Sequence, residues 1–523
     1  MLISGIFLFI IFVIVVSLFL RYRGVRLAYL WLLLMVSAFL IWLILMITQP
    51  SKISPLVIEN WVMIGDSPVN LIFQMNTSNW PISITLFSFL IAFLLTSITR
   101  VKGNHSLFEW VEISILIVSG WIVLMAGDYW SILIGWTLID FVELIIHFHH
   151  KGLNPEKFYS HFLIKFLGSL ILIFGISRSF QINPFELFEK KVEWIGILIP
   201  IAAFLHSGLF SNYSEKSNPE INLNSMVVFL RIITFITSFF LLIYVPAPNL
   251  KFPLNIVIKI VLFTVAVFQM YGWASEKNIF IQGRKFLLAF GTVLCLMFFS
   301  GSGKFIEIWL ILSIVPFGWL YLFTDRESKL QIFVFILGLL LSGLLYSLTF
   351  NGLFQLSQQR QWMDLLFIQI PMTLALSGFI NHALKKKGDF YSIEPWYQLF
   401  YLIGLLFPLL STIAIIIRIS NPYVDFIRSW WIGFVMILLA FFIYYFHLRN
   451  NISKNKLRFL QTRNKKWKTT LIVSLKFIVN KIYFMMENAL QFFSSLFENN
   501  GGILWSIVFL VLFVTILNFQ GAK

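Results

Sequence analysis

Long apolar segments follow one another along almost the whole chain, and they restrict its fold more than any other feature of the sequence. A helix needs about 20 apolar residues to cross the hydrocarbon core of a bilayer, and sixteen such segments can be read between residues 2 and 518. Backbone groups in lipid must be hydrogen-bonded within their own helix, and the two-residue alternation of an outer-membrane barrel is absent. We therefore predict an all-α polytopic membrane protein with about sixteen transmembrane helices.

Two stretches between the spans have a different character. Residues 49–80 contain two alternating apolar runs on either side of Gly65-Asp66, which predict a β-hairpin outside the membrane. Residues 448–501 are densely basic at first and then amphipathic, which predicts a helix lying along the membrane or along other helices before the last span. The expected spans are 2–20, 27–48, 81–99, 107–126, 129–147, 157–177, 194–211, 223–245, 254–274, 285–302, 304–324, 331–350, 364–384, 396–418, 427–447 and 502–518.

Composition excludes several other classes of protein. With 59% hydrophobic and 12% charged residues among 523, the chain cannot bury its apolar side chains as a soluble globule. The single cysteine, Cys295, rules out a disulfide framework and cysteine-ligated iron–sulfur or zinc sites within the chain. Dinucleotide-binding, P-loop and zinc-protease motifs do not occur, so we expect no cofactor, no metal and no catalytic residue. The first span lacks a basic start and a cleavage site, and we expect it to be retained.

The distribution of basic residues predicts the orientation of the chain. Loops after odd-numbered spans, together with 448–501, carry 26 Lys and Arg residues, whereas loops after even-numbered spans carry 9. The positive-inside rule therefore puts 448–501 in the cytoplasm and both termini, with the hairpin, outside. The net charge of +16 then reflects membrane topology, and no nucleic-acid partner is needed to explain it.

The fifth expected span carries a polar face. Asp140, Glu143 and His147 lie at positions i, i+3 and i+7, so they share one side of a helix. Ionisable groups in lipid cost several kcal/mol, and they usually turn toward a bundle interior and a polar path. The alternative is that these side chains lie near the helix end and reach toward the interface.

Further ionisable residues fall within other spans. Lys165 is the best candidate to pair with the carboxylates of the fifth span, because neighbouring spans can face each other. Arg231 lies near mid-membrane, where an unpaired arginine is costly. We expect it to form a salt bridge with Asp140 or Glu143, or to share a water-filled cavity with them and with His206. The remaining charges within spans are Glu109, Glu112 and Lys259.

Two motifs resemble those of a known family. Met125–Thr137 is similar to the segment before and into the fifth helix of the antiporter-like subunits of respiratory complex I, and Glu276–Val293 is similar to a charged entrance to a later helix in the same subunits. The hairpin, the long cytoplasmic segment and the final helix after Glu498 resemble the large subunit-5 type and its relatives in membrane-bound hydrogenases and Mrp antiporters.

The resemblance implies a domain organisation. Helices 1–3 with the hairpin 49–80 would occupy residues 1–106. Two five-helix repeats of inverted topology would follow at 107–245 and 254–384, and the C-terminal helices with the segment 448–501 would occupy 396–523. Members of the family move protons or sodium ions through buried ionisable groups.

The family's site residues carry over only in part. Its fifth-helix glutamate falls on Thr137, so Asp140 and Glu143 are the local substitutes. Its seventh-helix lysine falls on His206, in His206-Ser-Gly-Leu-Phe. Histidine is a workable proton carrier, since its ordinary pKa lies near ~6.5, although a lone histidine in a helix is also often a packing residue.

The second repeat has fewer of the expected groups. Neither Ile308–Phe323, where the family has a histidine and a lysine, nor 331–350 contains a charged residue. Lys304, Glu307 and Asp364 lie near helix ends, where they are expected to be interfacial charges. This half therefore lacks the titratable chain that an output path would use.

Three functions remain open from the sequence. The first is an ion-translocating antiporter-like subunit of a complex I, hydrogenase or Mrp-type assembly, with Asp140, Glu143, Lys165, His206, Arg231 and Lys259 as candidate ion-carrying residues. The second is a scaffold subunit that has lost transport. The third is the membrane partner of a carbonic-anhydrase-like protein in inorganic-carbon uptake.

Each function implies partners and a location. We expect other membrane subunits of a multisubunit complex and a soluble partner docked on the cytoplasmic face, in a bacterial inner or plasma membrane. The chain would be at most a non-redox subunit of an oxidoreductase-like complex.

Overall fold

The computed structural model describes residues 2–453 with gaps. Undescribed are 49, 51–52, 65–66, 99–104, 150–154, 180–194, 211–223, 246, 249–252, 277–278, 302–305, most of 323–361, 384–393, 420–425 and everything after 453. Residues 1–57 with 71–444 form one compact unit, and 58–70 with 445–523 form a second. Most of the expected span 331–350, the expected span 502–518, the segment 454–501, the hairpin turn at Gly65-Asp66 and Lys304 lie outside the described residues.

Helices account for nearly all regular structure in the described residues. They are Leu2–Tyr22 (α1), Leu27–Ile47 (α2), Asn79–Ser97 (α3), His105–Leu124 (α4), Tyr129–His149 (α5), Pro155–Ser179 (α6), Ile195–His206 (α7), Asn224–Phe239 (α8), Leu254–Ser275 (α9), Ile279–Phe299 (α10), Ile306–Leu322 (α11), Trp362–Ala383 (α12), Pro395–Ile419 (α13) and Phe426–Ser453 (α14). A 3₁₀ turn, Phe240–Ile243, continues α8. Leu56–Ile64 (β1) and Ser67–Phe73 (β2) pair as a two-stranded sheet, as the alternating runs predicted.

The helices have the length and apolarity of membrane spans. Ten of the described helices are long and apolar enough to cross a bilayer, and four more contain shorter apolar stretches. Large apolar side chains lie exposed along α1, α2 and α9, as suits contact with lipid. The expectation of a polytopic, helical integral membrane protein is confirmed.

Several helix boundaries differ from those expected, among them the end of α14 at Ser453 and not at 447, and two of the differences have a clear cause. α7 ends at His206 and not at 211, because Gly208 adopts a left-handed conformation (φ +65°) that stops the helix. α10 begins at Ile279 and not at 285, so the basic residues Arg284 and Lys285 lie inside its first turns. Polar residues near the end of a span lower its mean hydropathy, so hydropathy alone does not show where the helix begins.

α3 lies at the centre of the first unit, packed against α2, α4, α11 and α13, and every one of its residues is buried. It contains no charged residue, and its hydroxyls bond to carbonyls of its own backbone. Ser83 Oγ donates to Asn79 O (2.8 Å) and Thr85 Oγ1 to Pro81 O (2.8 Å). Such internal bonding satisfies polar groups where no water is present, which suits this helix to a dry core.

The end of β2 is fixed to the turn between α4 and α5. Asp128 Oδ2 accepts a hydrogen bond from Ile72 N (2.8 Å), and Gly127 N donates to Ile72 O (2.7 Å). Burial raises the pKa of Asp128 above its ordinary value, although hydrogen bonds from Ser131 and from backbone amides favour its charged form. The start of α5, the helix that carries the polar face, is therefore held in place.

Candidate functional site

α5 and α6 bring three charged side chains together in the interior of the first unit. Lys165 Nζ contacts Asp140 Oδ1 and lies 2.6 Å from Glu143 Oε2. All three side chains are buried, and Lys165 completely so. The predicted pairing of Lys165 with the carboxylates is confirmed, and the alternative that Asp140 and Glu143 reach toward the interface is wrong.

A histidine lies at each end of this ion-paired group. His161 Nε2, on α6, lies 2.7 Å from Glu143 Oε1. His206 Nε2, at the end of α7, lies 3.5 Å from Asp140 Oδ1. We call the five residues His161, Glu143, Lys165, Asp140 and His206 the polar cluster. It forms a row of titratable groups through α5, α6 and α7, in which Asp140 and His206 face each other without a hydrogen bond.

The hydrogen bonds of His206 define which of its nitrogens faces the row. Its Nδ1 lies 2.8 Å from Ser238 Oγ, and that hydroxyl donates to Thr234 O (2.6 Å). Because the hydroxyl proton is used there, Ser238 accepts from Nδ1–H. The neutral imidazole then presents an unprotonated Nε2 toward Asp140, where it can receive a proton.

Close packing holds His206 in position. The ring of Trp136, one turn before Asp140 on α5, stacks on the imidazole with a centroid distance of 3.9 Å and an interplanar angle of 7°. Trp136 Nε1 donates to Thr237 O (3.2 Å), which ties α5 to α8. Gly168 lets α6 approach α7 closely, since a Cβ there would lie 2.6 Å from His206 N.

The net charge of the cluster explains its composition. Two carboxylates and one ammonium leave one excess negative charge, and a buried ion pair is tolerated only when its remaining polar atoms find partners. Lys165 is shared by both carboxylates, and each carboxylate also faces a histidine. One proton on either histidine would neutralise the excess charge.

Other predicted residues have different positions. Thr137 is exposed, and its hydroxyl bonds to Ile134 O (2.8 Å), so the family's glutamate position does not face the cluster. His147 is partly buried and stacks on Phe158 at 3.8 Å.

Arg231 is buried, but it is not among the ion-pair partners of Asp140 or Glu143. The direct salt bridge expected for Arg231 is therefore wrong, because Lys165 and the two histidines occupy the carboxylates. The shared water-filled cavity stays a prediction.

A second ion pair lies away from the cluster. Lys259 on α9 binds both carboxylate oxygens of Asp364 on α12, at 3.0 and 2.8 Å. Asp364 is buried and Lys259 is partly buried, so Asp364 is ion-paired, and its expected place at the membrane interface stays a prediction. Lys259 is thus not joined to the polar cluster by any contact in the described part of the chain.

The sequence reading missed His161 and Ser238. His161 precedes Lys165 by four residues, a spacing that places both on one face of a helix, and this signal was available. Ser238 carried no such signal, because a serine within an apolar helix usually bonds to its own backbone. In the described residues, no group of three or more His, Cys, Asp or Glu side chains is arranged to hold a metal ion.

Comparison with known proteins relates the fold, but not the sequence, to solved structures. No protein-family model and no curated protein is found to match the chain. A chain of the Mrp complex from Dietzia sp. DQ12-45-1b has a similar structure, with a TM-score of 0.62, 11% identity, and coverage of 94% of this chain and 60% of that one. This chain therefore spans less than two thirds of the Mrp-complex chain.

Two further structures are similar. A chain of the membrane-bound sulfane sulfur reductase, an archaeal respiratory membrane complex, has a TM-score of 0.64 at 13% identity, covering 98% of this chain and 99% of that one. A chain of respiratory complex I from Thermus thermophilus has a TM-score of 0.58 at 11% identity, covering 78% and 97%. At this level of identity the likeness concerns the fold alone, and there it confirms the resemblance that the motifs indicated.

Proposed function

We propose that the chain is an ion-translocating, antiporter-like membrane subunit, and that protons pass through the polar cluster. The observation that supports this most strongly is the buried row from His161 through Glu143, Lys165 and Asp140 to His206. Proton transfer needs groups within hydrogen-bond reach of one another, directly or through one water. The contacts of Glu143 with His161 and of Lys165 with both carboxylates meet that requirement. His206 Nε2 and Asp140 Oδ1 lie 3.5 Å apart without a hydrogen bond, so this step needs one bridging water or a small movement.

Lys165 is the movable element of this proposal. A proton that reaches Nε2 of His206 gives an imidazolium beside Asp140, and this cation competes with Lys165 for the carboxylate. Lys165 then moves toward Glu143. There its ammonium neutralises the carboxylate, so that His161 no longer holds its proton as tightly. Protons on the two histidines are thereby coupled through one shared ammonium. The three nitrogen groups in the row favour protons over sodium ions, which prefer oxygen ligands.

Partners and orientation follow from the same proposal. The similar chains come from an Mrp complex, an archaeal respiratory complex and respiratory complex I, which supports a place among the membrane subunits of a multisubunit assembly. We place the basic segment 448–501 in the cytoplasm, where it would bind a soluble partner, and both termini outside a bacterial inner or plasma membrane. The role in inorganic-carbon uptake stays a prediction.

A scaffold function is the second candidate. α11 has no charged residue after Glu307 and is almost completely buried, and the ion pair of Lys259 and Asp364 has no described link to the polar cluster. In the described part of the second half, the buried His382 and this ion pair are not joined by any contact into a row like the polar cluster. A chain that keeps the fold without transport would also fit this observation.

Proton flux into vesicles that contain the whole assembly separates the two functions. Asp140→Asn should abolish flux while assembly stays intact, because the amide cannot exchange a proton with His206. Asp364→Asn makes the same chemical change in the other buried Lys–Asp pair, and it should leave flux unchanged. Equal flux in wild type and Asp140→Asn would move the chain to the scaffold class, and flux of labelled sodium without protons would change the ion.

A further inference from the structure

All five members of the polar cluster are buried, including the histidines His161 and His206 at its two ends. Neither histidine can therefore take a proton from bulk water directly. A path through the protein interior needs a further titratable group at its mouth, within hydrogen-bond reach of water and of the row, directly or through one bridging water. His147 on α5 has the position that this role requires.

His147 lies where α5 reaches the surface of the membrane. The helix has 21 residues, the length of one bilayer crossing, and it ends at His149. At a rise of about 1.5 Å per residue, His147 lies about 3 Å from that end, Glu143 about 9 Å and Asp140 about 14 Å. His147 is partly buried, whereas the two carboxylates are buried. One face of α5 therefore carries titratable groups from the surface into the interior.

His147 and the polar cluster meet at Glu143. The carboxylate lies one turn before His147 on the same helix face, close enough for its charge to act on the imidazole. His161 Nε2 lies 2.7 Å from Glu143 Oε1. The two histidines thus flank one carboxylate, with His147 on the side of the helix end. A proton on His147 can pass to Glu143 or to His161 directly or through one water.

An aromatic ring holds His147 beside the row. Phe158 on α6 is buried and stacks on the imidazole, with a centroid distance of 3.8 Å and an interplanar angle of 5°. Phe158 precedes His161 by three residues, which places both on one face of α6. Trp136 holds His206 in the same way at the other end of the row, at 3.9 Å and 7°. Stacking covers a face of each imidazole and leaves the nitrogens, at the ring edge, available for proton exchange.

We infer that His147 is the residue through which protons enter or leave the polar cluster at the end of α5. The inference rests on the proposed function, because it assumes that protons pass through the cluster. It adds a sixth group to the path and assigns Phe158 the role of positioning it.

Proton flux into vesicles that contain the whole assembly tests the inference. His147→Ala should lower flux about 10²-fold, and imidazole added to the medium should restore most of it, because free imidazole fits the space of the missing ring and carries a proton in its place. Asp140→Asn should abolish flux, and imidazole should not restore it, since Asp140 is buried. His382→Ala is the matched control. It removes a histidine of α12 that bonds to Trp273 O (2.8 Å), and it should leave flux unchanged with or without imidazole.

Chemical modification tests the position of His147 without a substitution, and it decides the matter if His147→Ala does not assemble. Diethyl pyrocarbonate acylates imidazole nitrogens that water can reach. Peptide mass spectrometry of the treated wild-type assembly should find His147 modified and the buried His161 unmodified.

The outcomes separate this inference from the proposed function. Wild-type flux in His147→Ala, with flux lost in Asp140→Asn, would overturn the inference and leave the proposed function standing. Equal flux in wild type and Asp140→Asn would overturn both. Loss of flux in His147→Ala that imidazole does not restore would show that the ring is structural and would overturn the inference, as would an unmodified His147 in the wild-type assembly.

Discussion

Lys165 is stabilised in the interior because two carboxylates share its charge. An ammonium taken out of water loses several kcal/mol of hydration, and a buried pair recovers this only with good geometry and with further partners for its remaining atoms. Both carboxylates supply that geometry, His161 adds a hydrogen bond to Glu143, and Ser238 adds one to His206, while Asp140 Oδ1 and His206 Nε2 are left without a hydrogen-bond partner. Each member of the polar cluster is thus needed to make the burial of the others tolerable.

Because of this dependence, removal of Lys165 should destabilise the protein more than removal of the partly exposed Lys285. Lys165→Met leaves Asp140 and Glu143 buried without a cation, and the protein should lose about 3–5 kcal/mol of stability. Lys285→Met removes the pair with Glu276, whose side chains are about a quarter exposed, and should cost about 1 kcal/mol or less. Thermal unfolding in detergent measures both, and equal losses would contradict the buried pairing.

The same residues show how far the sequence could predict the site. The shared face of Asp140 and Glu143 and their pairing with Lys165 followed from helical spacing and from the cost of charge in lipid. The sequence did not exclude Arg231 as a partner of the two carboxylates, because several basic residues lie within spans and helical spacing does not rank them. The stacking of Trp136 on His206 depends on how three helices pack, which no local pattern records.

At the scale of helices, glycine positions set the distances that the cluster requires. At Gly168, α6 and α7 approach so closely that a Cβ would lie 2.8 Å from Ala202 O and 2.6 Å from His206 N. At Gly208, a Cβ would overlap the ring of His161, and the left-handed backbone there ends α7 directly after His206. These two contacts place the end of α7, and with it His206, against α6 and its His161.

Gly168→Val should therefore force α6 and α7 apart. Overpacking of this kind costs about 1–3 kcal/mol, and it should lower both the unfolding temperature and proton flux. Gly175→Val is the control on the same helix, since a Cβ there meets nothing within 4 Å. If both variants behave alike, the close approach of α6 to α7 does not matter for the site.

At the scale of the whole chain, hydropathy predicted the helices well because a bilayer imposes a fixed length on each span. Fourteen of the expected spans coincide with described helices. The errors at α7 and α10 arose from a backbone conformation at Gly208 and from charged residues within a helix, neither of which mean hydropathy detects. The complete burial of α3 could not be predicted either, since lipid-facing and core helices have similar composition.

Orientation is the prediction that belongs to this scale. Cysteine introduced at Ser67, in β2, should react with an impermeant reagent in intact cells, and cysteine at Asn464 should react only after the membrane is opened. The native Cys295 is buried and should contribute little background. The opposite labelling pattern would reverse the proposed topology.

Whether the polar cluster is one continuous path is the central claim, and proton flux in vesicles tests it through a double variant. His206→Ala removes one end of the row and Glu143→Gln the group next to its other end, and proton-transfer groups typically contribute about 10²-fold or more to the rate. If the row is one continuous path, each single variant should abolish proton flux, and the double variant should show no lower flux than either single variant. Normal flux in either single variant, with the assembly intact, would contradict the claim that ions pass through this row.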